Sequence, residues 1–185
     1  MKVVPGEIPG ILLVEPKVFG DDRGHFFESF NERAWREATG LDVRFVQDNQ
    51  SRSVRGVLRG LHYQVVKPQG KLVRVLSGEV FDVAVDLRRG SPTFGKWTGA
   101  LLSGDNRRQM WIPEGFAHGF CVTSESADFF YKCTDYYHRE GERGIAWNDP
   151  LVGIRWPVSR PILSDRDTRY PSLADLPAED LPEGA

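Results

Sequence analysis

Short β-type runs, separated by Gly, Pro, Asp and Ser, follow one another along most of this chain, and this pattern restricts its possible folds more than any other feature. About ten such runs are rich in the branched and aromatic residues that strands favour. A chain of 185 residues closes that many antiparallel strands most economically as a jelly roll. The sequence therefore predicts an all-β fold. The predicted strands are Ile11–Phe19, His25–Phe30, Val43–Gln47, Val57–Gln64, Lys71–Leu76, Glu79–Leu87, Phe94–Leu102, Gln109–Ile112, Gly119–Thr123 and Ala127–Thr134.

One segment is typical of a helix instead. Asn31 can cap a first turn, Glu32–Thr39 contains good helix formers, and Gly40 suits the left-handed position just past a helix end. We expect a short helical insertion on the surface there. The link Ser77-Gly78 is typical of a tight hairpin between two neighbouring strands, because glycine adopts a positive φ without steric cost.

The length and the C-terminal composition indicate how the chain is organised. A chain of 185 residues forms one domain of ordinary size with a full core. From Pro171 onward the sequence is acidic and punctuated by proline, which is typical of a loosely held segment. We therefore expect a single jelly-roll domain over residues 1–170 and a loosely held tail over residues 171–185.

The charge balance limits the classes of partner, and the absence of targeting segments indicates the compartment. Lysine and arginine total 24, aspartate and glutamate 26, and the net charge is −2. This balance gives no global attraction to nucleic acid or to an anionic membrane, so an anionic ligand needs a local cluster of cations. The chain has neither a signal-peptide core at its start nor an apolar run of membrane-spanning length, so we expect a cytoplasmic protein. Cys121 and Cys133 lie in apolar or aromatic runs that suit reduced, packed thiols.

Two of the histidines, His62 and His118, lie within strand-type runs. Burying an unpaired imidazole costs free energy, so each histidine either meets a polar partner or does chemistry. Side chains alternate along a strand, so His62 and Gln64 share one face, while a bend at Gly60 would let Arg59 reach the same cavity. The alternative is a histidine that is satisfied by a backbone carbonyl.

A metal site is the next alternative. Pro113-x-Gly-x-x-His118 resembles one half of the metal-binding motif of cupin barrels. The other half places two histidines one residue apart with a nearby carboxylate, whereas here His62 is followed by Tyr63 and Gln64. Stable zinc or iron sites need three or four protein ligands, so we predict no metal.

Three further groups carry polar or charged side chains in positions of interest. Tyr131 shares a strand face with apolar residues, where a phenol can donate a proton. Lys71 opens a strand and, considered alone, is a solvated strand end. Arginine matches phosphate geometry well, so Arg23, Arg59 and Arg166 could together form a local clamp for a pyrophosphate.

Six motifs, in their order and spacing, identify a family. They are Phe26-Phe27-Glu28-Ser29-Phe30, Val46-Gln47-Asp48-Asn49, Val57-Leu58-Arg59-Gly60-Leu61-His62-Tyr63-Gln64, Gln69-Gly70-Lys71-Leu72-Val73-Arg74-Val75, the run from Gly78 to Leu87, and the run from Trp111 to Phe120. Together they resemble the dTDP-4-dehydrorhamnose 3,5-epimerases, from about Gly10 to Leu173. The resemblance implies a cofactor-free, cupin-type jelly roll (a double-stranded β-helix) that forms a homodimer by strand exchange. It also implies epimerisation of dTDP-4-dehydro-6-deoxy-D-glucose at carbons 3 and 5, in dTDP-L-rhamnose biosynthesis.

The resemblance assigns a role to each matching residue. It makes His62 the base, Asp167 the carboxylate that supports the base, Lys71 the cation near the 4-keto oxygen, and Tyr131 the proton donor. The substrate contacts that it implies are His118, Gln47, Asn49, Arg59, Glu142 and Arg166, with Arg23 and Glu28 at the nucleotide end, reaching into the partner subunit.

Three other functions are compatible with these motifs. Relatives on the same scaffold epimerise only carbon 3 or only carbon 5 of related dTDP-4-keto sugars. A dTDP-4-keto-6-deoxyhexose 3,4-ketoisomerase is also a jelly roll, although it fits the set of His62, Lys71, Tyr131 and Asp167 less well. A non-catalytic nucleotide-sugar-binding protein would keep the arginines without needing a pair between His62 and Asp167.

Overall fold

A computed structural model describes residues 1–183 of the chain. It contains one α-helix, thirteen strands and three short 3₁₀ turns over those residues. The helix is α1 (Glu32–Thr39), and the strands are β1 (Lys2–Pro5), β2 (Leu12–Glu15), β3 (Phe19–Asp21), β4 (Gly24–Phe26), β5 (Gln47–Val54), β6 (Leu58–Gln64), β7 (Lys71–Ser77), β8 (Glu79–Asp86), β9 (Trp97–Ser103), β10 (Gln109–Ile112), β11 (Phe116–Val122), β12 (Ser126–Cys133) and β13 (Glu142–Gly144). The 3₁₀ turns span Arg139–Gly141, Leu173–Asp175 and Ala178–Asp180.

The strands form two large antiparallel sheets and one small hairpin. The six-stranded sheet has the order β1-β2-β10-β7-β12-β5, and the five-stranded sheet has the order β13-β6-β11-β8-β9. Strands β3 and β4 pair only with each other. From β5 to β13, successive strands alternate between the two large sheets except at the β8–β9 pair, which is the connectivity of a jelly roll. The predicted fold class is confirmed.

Three apolar clusters hold the layers together. The largest lies between the sheets and includes Val73, Ile112 and Phe129 from one sheet with Val80 and Phe120 from the other. A second cluster covers the outer face of the five-stranded sheet. The third buries Trp35 of α1 against the outer face of the six-stranded sheet. The helix therefore covers one sheet from outside and leaves the space between the sheets to the strands.

The helix begins and ends where the sequence predicts. The Oδ1 atom of Asn31 accepts a hydrogen bond from the backbone N–H of Ala34 at 3.1 Å. At the other end, Gly40 has φ 71° and donates its backbone N–H to the carbonyl of Arg36. The polar cap and the left-handed glycine thus satisfy backbone groups that would otherwise lack partners.

The predicted hairpin at Ser77-Gly78 is wrong. Strand β7 pairs with β10 and β12, whereas β8 pairs with β9 and β11, so the link joins two different sheets. Gly78 has φ 79°, and a Cβ atom there would lie 2.0 Å from the carbonyl oxygen of Ser126. The glycine forms a corner at which the chain crosses from one sheet to the other.

Several strand boundaries also differ from the prediction. Residues 43–46 are not a strand; the strand β5 begins at Gln47 and runs to Val54. Strands β1 and β13 were not predicted. The predicted strand Ile11–Phe19 is shorter, as β2, and its last residue opens the β3–β4 hairpin.

The segment from Pro171 packs on the domain as far as the structure describes it, so a loosely held tail does not apply to residues 171–183. Leu173 and Leu176 join the cluster on the five-stranded sheet. The Tyr63 hydroxyl donates to the carbonyl of Asp180 at 2.9 Å, and the Arg143 guanidinium pairs with the Asp180 carboxylate at 2.6 Å. Residues 184 and 185 of the predicted tail lie outside the described residues.

Candidate active site

A cavity of about 530 Å³ lies between the two sheets and contains most of the chemically active side chains predicted from the sequence. Its volume is in the range of pockets that bind small molecules. The five-stranded sheet contributes His62 and His118, and the six-stranded sheet contributes Lys71 and Tyr131. A loop that includes Asp167 closes one side.

An irregularity in β6 brings two residues of the same motif, Arg59 and His62, to this cavity. The pairing of β6 with β11 shifts between His118 and Phe120, which lie opposite His62 and Arg59 respectively. Gly60 has φ 137°, and a Cβ atom on it would lie 2.6 Å from the Cα atom of Gly119. The close approach requires glycine, and the resulting bulge places both Arg59 and His62 at the cavity.

His62 is paired with a carboxylate from a distant part of the chain. Its Nε2 atom lies 2.6 Å from Oδ1 of Asp167, while the Ser164 hydroxyl donates to Oδ2 of Asp167 at 2.8 Å. The His62 side chain is 29% exposed and that of Asp167 only 5%, so a ligand can reach the imidazole but not the carboxylate. Burial opposes ionisation of Asp167, but the hydrogen bonds from His62 and Ser164 outweigh it and lower the carboxyl pKa.

His118 is paired in the same manner, with a residue that the sequence analysis did not single out. Its Nε2 atom lies 3.1 and 3.0 Å from the two carboxylate oxygens of Asp82, on the neighbouring strand β8. Burial raises the Asp82 pKa and lowers the His118 pKa, while their mutual attraction opposes both shifts. The signal for Asp82 was available in the sequence, because a carboxylate inside the apolar run Val80–Val85 needs a buried partner.

Lys71 lies at the cavity without an ion-pair partner within 4.0 Å among residues 1–183. Burial lowers the pKa of its ammonium group, although Cys133, Glu142 and Asp82 partly oppose this effect. The lysine is therefore not the solvated strand end that its sequence context alone suggests. An unpaired ammonium beside a cavity is available to an oxygen of a ligand.

Tyr131 faces the cavity from the six-stranded sheet, opposite the sheet that carries His62. Its ring packs against Phe129, with ring centroids 5.9 Å apart. Burial raises the pKa of its hydroxyl to about 12, so the phenol keeps its proton at neutral pH. A group that holds a proton thus faces a histidine across the cavity.

The remaining predicted residues fall into three groups. Asn49 and Arg166 line the cavity with Arg59. Gln47 and Glu142 lie next to it, where Gln47 donates to Asn49 at 3.0 Å and Glu142 accepts a hydrogen bond from Arg166. Arg23 and Glu28 lie outside the cavity; Arg23 is exposed in the β3–β4 hairpin and pairs with Asp21.

Within residues 1–183, no group of three or more His, Cys, Asp or Glu side chains is arranged to hold a metal ion. The predictions that the protein uses neither a metal nor a cofactor stay predictions. In the same part of the chain, no helix is long and apolar enough to cross a membrane.

Two antiparallel sheets around a cavity with two histidine–carboxylate pairs define a cupin-type jelly-roll enzyme. A family model described as dTDP-4-dehydrorhamnose 3,5-epimerase matches residues 5–175. The chain therefore belongs to the dTDP-4-dehydrorhamnose 3,5-epimerase family, whose members are isomerases.

Individual relatives agree with this assignment. The chain is 62% identical over 176 residues to the dTDP-4-dehydrorhamnose 3,5-epimerase of Pseudomonas aeruginosa, covering 95% of this chain and 97% of the relative. A structure of the Legionella pneumophila dTDP-6-deoxy-D-glucose-3,5-epimerase in complex with dTDP-4-keto-L-rhamnose has a TM-score of 0.97 and 55% identity, covering 100% and 98% of the two chains. A 3'-monoepimerase from Streptomyces bikiniensis, in complex with dTDP-quinovose, has a TM-score of 0.88 at 35% identity, covering 99% and 93%.

Proposed function

We propose that this enzyme inverts carbons 3 and 5 of dTDP-4-dehydro-6-deoxy-D-glucose to give dTDP-4-dehydro-L-rhamnose, without a cofactor. The observation that carries the proposal is the arrangement of His62 and Tyr131 on opposite sheets across one cavity. Inversion of a carbon requires loss of a proton on one face and gain of a proton on the other, so it needs two groups on opposite sides of the sugar ring.

His62 removes the proton next to the 4-keto group. Its Nε2 atom is engaged by Asp167, so an Nε2–H that donates to this carboxylate leaves the lone pair of Nδ1 to accept a proton. The Asp167 carboxylate then stabilises the imidazolium that forms. This is the role that a carboxylate commonly has beside a catalytic histidine.

Lys71 stabilises the negative charge that the deprotonation creates. Removal of the proton moves an electron pair onto the 4-keto oxygen, where a cation lowers the barrier most. The ammonium of Lys71 lies in the same cavity as His62 and has no carboxylate partner of its own within residues 1–183. His118, held by Asp82, adds a second polar contact to the sugar.

Tyr131 returns a proton from the opposite face. Its hydroxyl is protonated at neutral pH because burial raises its pKa to about 12. A proton delivered from that side gives the inverted carbon, whereas a proton returned by His62 would regenerate the starting sugar. The same two groups serve both carbons if the ring turns over between the two deprotonations.

The nucleotide end of the substrate needs cations and polar contacts. Arg59 and Arg166 at the cavity suit the diphosphate, with Gln47, Asn49 and Glu142 beside them. Arg23 and Glu28 lie away from the cavity of their own chain, so we propose that they serve the partner subunit of a strand-exchanged, cytoplasmic homodimer. Sedimentation as a monomer at micromolar concentration would contradict the dimer.

A coupled assay tests the reaction. The protein is incubated with dTDP-4-dehydro-6-deoxy-D-glucose, a rhamnose-forming reductase and NADPH, and NADPH consumption and dTDP-L-rhamnose are measured. We expect both with the wild-type protein and neither with His62→Ala. No NADPH consumption, with a reductase that is active on authentic dTDP-4-dehydro-L-rhamnose, would contradict the proposal.

Proton NMR of the sugar products and a dTDP-binding measurement separate the alternatives, one of which is the activity of a similar solved structure, a 3'-monoepimerase. A product inverted at only one carbon would assign this chain to the single-position epimerases. A sugar whose keto group has moved to carbon 3 would indicate a 3,4-ketoisomerase. Binding of dTDP without any change in the sugar would indicate a nucleotide-sugar-binding protein.

A further inference from the structure

Tyr170 packs directly against the base proposed above, although it does not line the cavity. Its ring lies edge-on to the His62 imidazole, with ring centroids 5.5 Å apart and an interplanar angle of 64°. It follows Asp167 by three residues, so the same loop supplies both neighbours of the imidazole. The histidine is thus held by a hydrogen bond and, independently, by a ring contact.

The Tyr170 ring also rests on the backbone of Gly144. Gly144 lies opposite His62 in the pairing of β13 with β6. A Cβ atom at Gly144 would lie 2.7 Å from three atoms of the Tyr170 ring, which is closer than carbon atoms approach without displacement. The ring therefore packs directly on the β13 backbone next to His62, and this close contact requires glycine at position 144.

The hydroxyl of Tyr170 contributes little to this arrangement. The Oη atom is buried and makes no hydrogen bond of normal geometry within the described part of the chain, while the nearby Arg166 guanidinium opposes the rise in its pKa. Burial raises the pKa of this phenol to about 12, so it is neutral at neutral pH. A buried hydroxyl without a partner costs free energy, so the ring is the useful part of the side chain.

The imidazole needs such a contact because a single hydrogen bond does not define its plane. The bond from Nε2 to Asp167 holds one atom of the ring, and small coupled rotations about χ1 and χ2 can still tilt the ring while that bond is kept. Proton transfer from carbon depends on the direction of the Nδ1 lone pair, and small misalignments of a reacting group are costly. A second contact on the ring restricts this rotation.

We propose that Tyr170 is a positioning residue, whose ring packs on Gly144 and against His62 and orients the imidazole toward the sugar. This inference rests on the proposed function, since it assumes that His62 is the base. It assigns no chemistry to the Tyr170 hydroxyl.

Two variants at this position give a direct test. Tyr170→Ala removes the ring, and we expect kcat for deuterium exchange at carbons 3 and 5 to fall by about 10- to 100-fold with little change in KM. The conservative Tyr170→Phe keeps the ring and should recover the wild-type kcat. A wild-type kcat in Tyr170→Ala, or a loss in Tyr170→Phe equal to that in Tyr170→Ala, would overturn the proposal.

A second pair of variants tests the contact between the Tyr170 ring and Gly144. Gly144→Ala introduces the clashing Cβ atom and should lower kcat while Tyr170 is present. In the Tyr170→Ala background the same change should cause no further loss, because the ring it would displace is gone. Additive losses would show that Gly144 acts independently of Tyr170 and would contradict the proposed packing of the Tyr170 ring on Gly144.

A readout without substrate separates this proposal from the proposed function. The Nε2–H proton of His62 should give a downfield proton NMR signal that is retained in Tyr170→Phe and broadened or lost in Tyr170→Ala. If the wild-type protein fails to exchange protons on the substrate, the proposed function fails. If it exchanges them and the signal is identical in all three proteins, the positioning role fails alone.

Discussion

Each imidazole in the cavity is held by a carboxylate from another part of the fold, and this arrangement sets what each ring can do. His62 is bound by Asp167 from a loop, and His118 by Asp82 from an adjacent strand. Solvent reaches the imidazole of His62, whose side chain is 29% exposed, whereas that of His118 is only 8% exposed. The roles of His62 and Asp167 can therefore be tested by changing the carboxylate alone.

Asp167→Asn should abolish most of the activity while preserving the fold. An asparagine amide can donate to Nε2, which would place the imidazole proton on Nδ1 and remove the lone pair that accepts the sugar proton. We expect kcat to fall by about 10²- to 10⁴-fold, the usual contribution of a general base. Asp165→Asn is the control in the same turn, and a comparable loss there would argue against a specific role for Asp167.

Tyr131→Phe should separate proton removal from inversion. The variant keeps the ring against Phe129 but lacks the hydroxyl that we propose as the proton donor. Proton NMR in deuterium oxide should show deuterium entering the starting sugar, with the rate of inverted product reduced by about 10²-fold or more. Inversion at the wild-type rate would mean that another group is the donor.

At the scale of elements, the sequence predicted α1 and most strands, but the prediction was wrong where one local pattern suits two different structures. Glycine at Gly78 suits a hairpin and a corner between sheets equally well, and only long-range pairing decides between them. Strand β5, with the sequence Gln-Asp-Asn-Gln-Ser-Arg-Ser-Val, lacks apolar alternation because its inward face lines a polar cavity. Its pairing with β12 stabilises it instead.

The roles proposed for individual residues come from the sequence only through the family resemblance. The turn from Ser164 to Asp167 has the ordinary pattern of a helix cap or turn, and nothing local indicates that Asp167 meets His62. That contact joins residues 105 positions apart. Asp82 was missed for a related reason, since its partner His118 lies on a strand 36 residues away.

The bulge in β6 gives a prediction at the scale of the element. Gly60→Ala would place a Cβ atom 2.6 Å from the backbone of Gly119 and would strain a φ of 137°. We expect a loss of about 1–3 kcal/mol in the free energy of unfolding, measured by urea denaturation, together with weaker substrate binding as Arg59 moves. Gly90→Ala, in an open turn with φ 77°, is the control for the strain alone. Equal effects on KM in the two variants would contradict a role for the bulge.

At the scale of the whole molecule, buried ionic contacts connect the jelly roll to its loops. Asp86 at the end of β8 accepts hydrogen bonds from Arg88, Ser91 and Thr93. Burial favours a higher pKa for this carboxyl, but these hydrogen bonds outweigh it and lower the pKa to about 2. Asp86 thus stabilises the fold only in its ionised form.

This contact predicts a specific acid sensitivity. The folded-state pKa of Asp86 is lower than the value of about 3.9 for an unfolded chain, so stability from this group is complete above that value and is lost as pH falls toward about 2. In urea titrations, Asp86→Asn should lower the free energy of unfolding at pH 6 and flatten its decline between about pH 4 and 2. The exposed Asp105→Asn should keep the wild-type profile, and an unchanged acid limb in Asp86→Asn would contradict the prediction.

In the proposed reaction, groups in one cavity remove a proton from carbons 3 and 5 of a 4-keto sugar on one face and return a proton on the other face. The most direct test is proton NMR of dTDP-4-dehydro-6-deoxy-D-glucose incubated with the protein in deuterium oxide. We expect deuterium at both carbons with the wild-type protein and at neither carbon with His62→Ala. Absence of label at both carbons with folded wild-type protein, or undiminished labelling with His62→Ala, would contradict it.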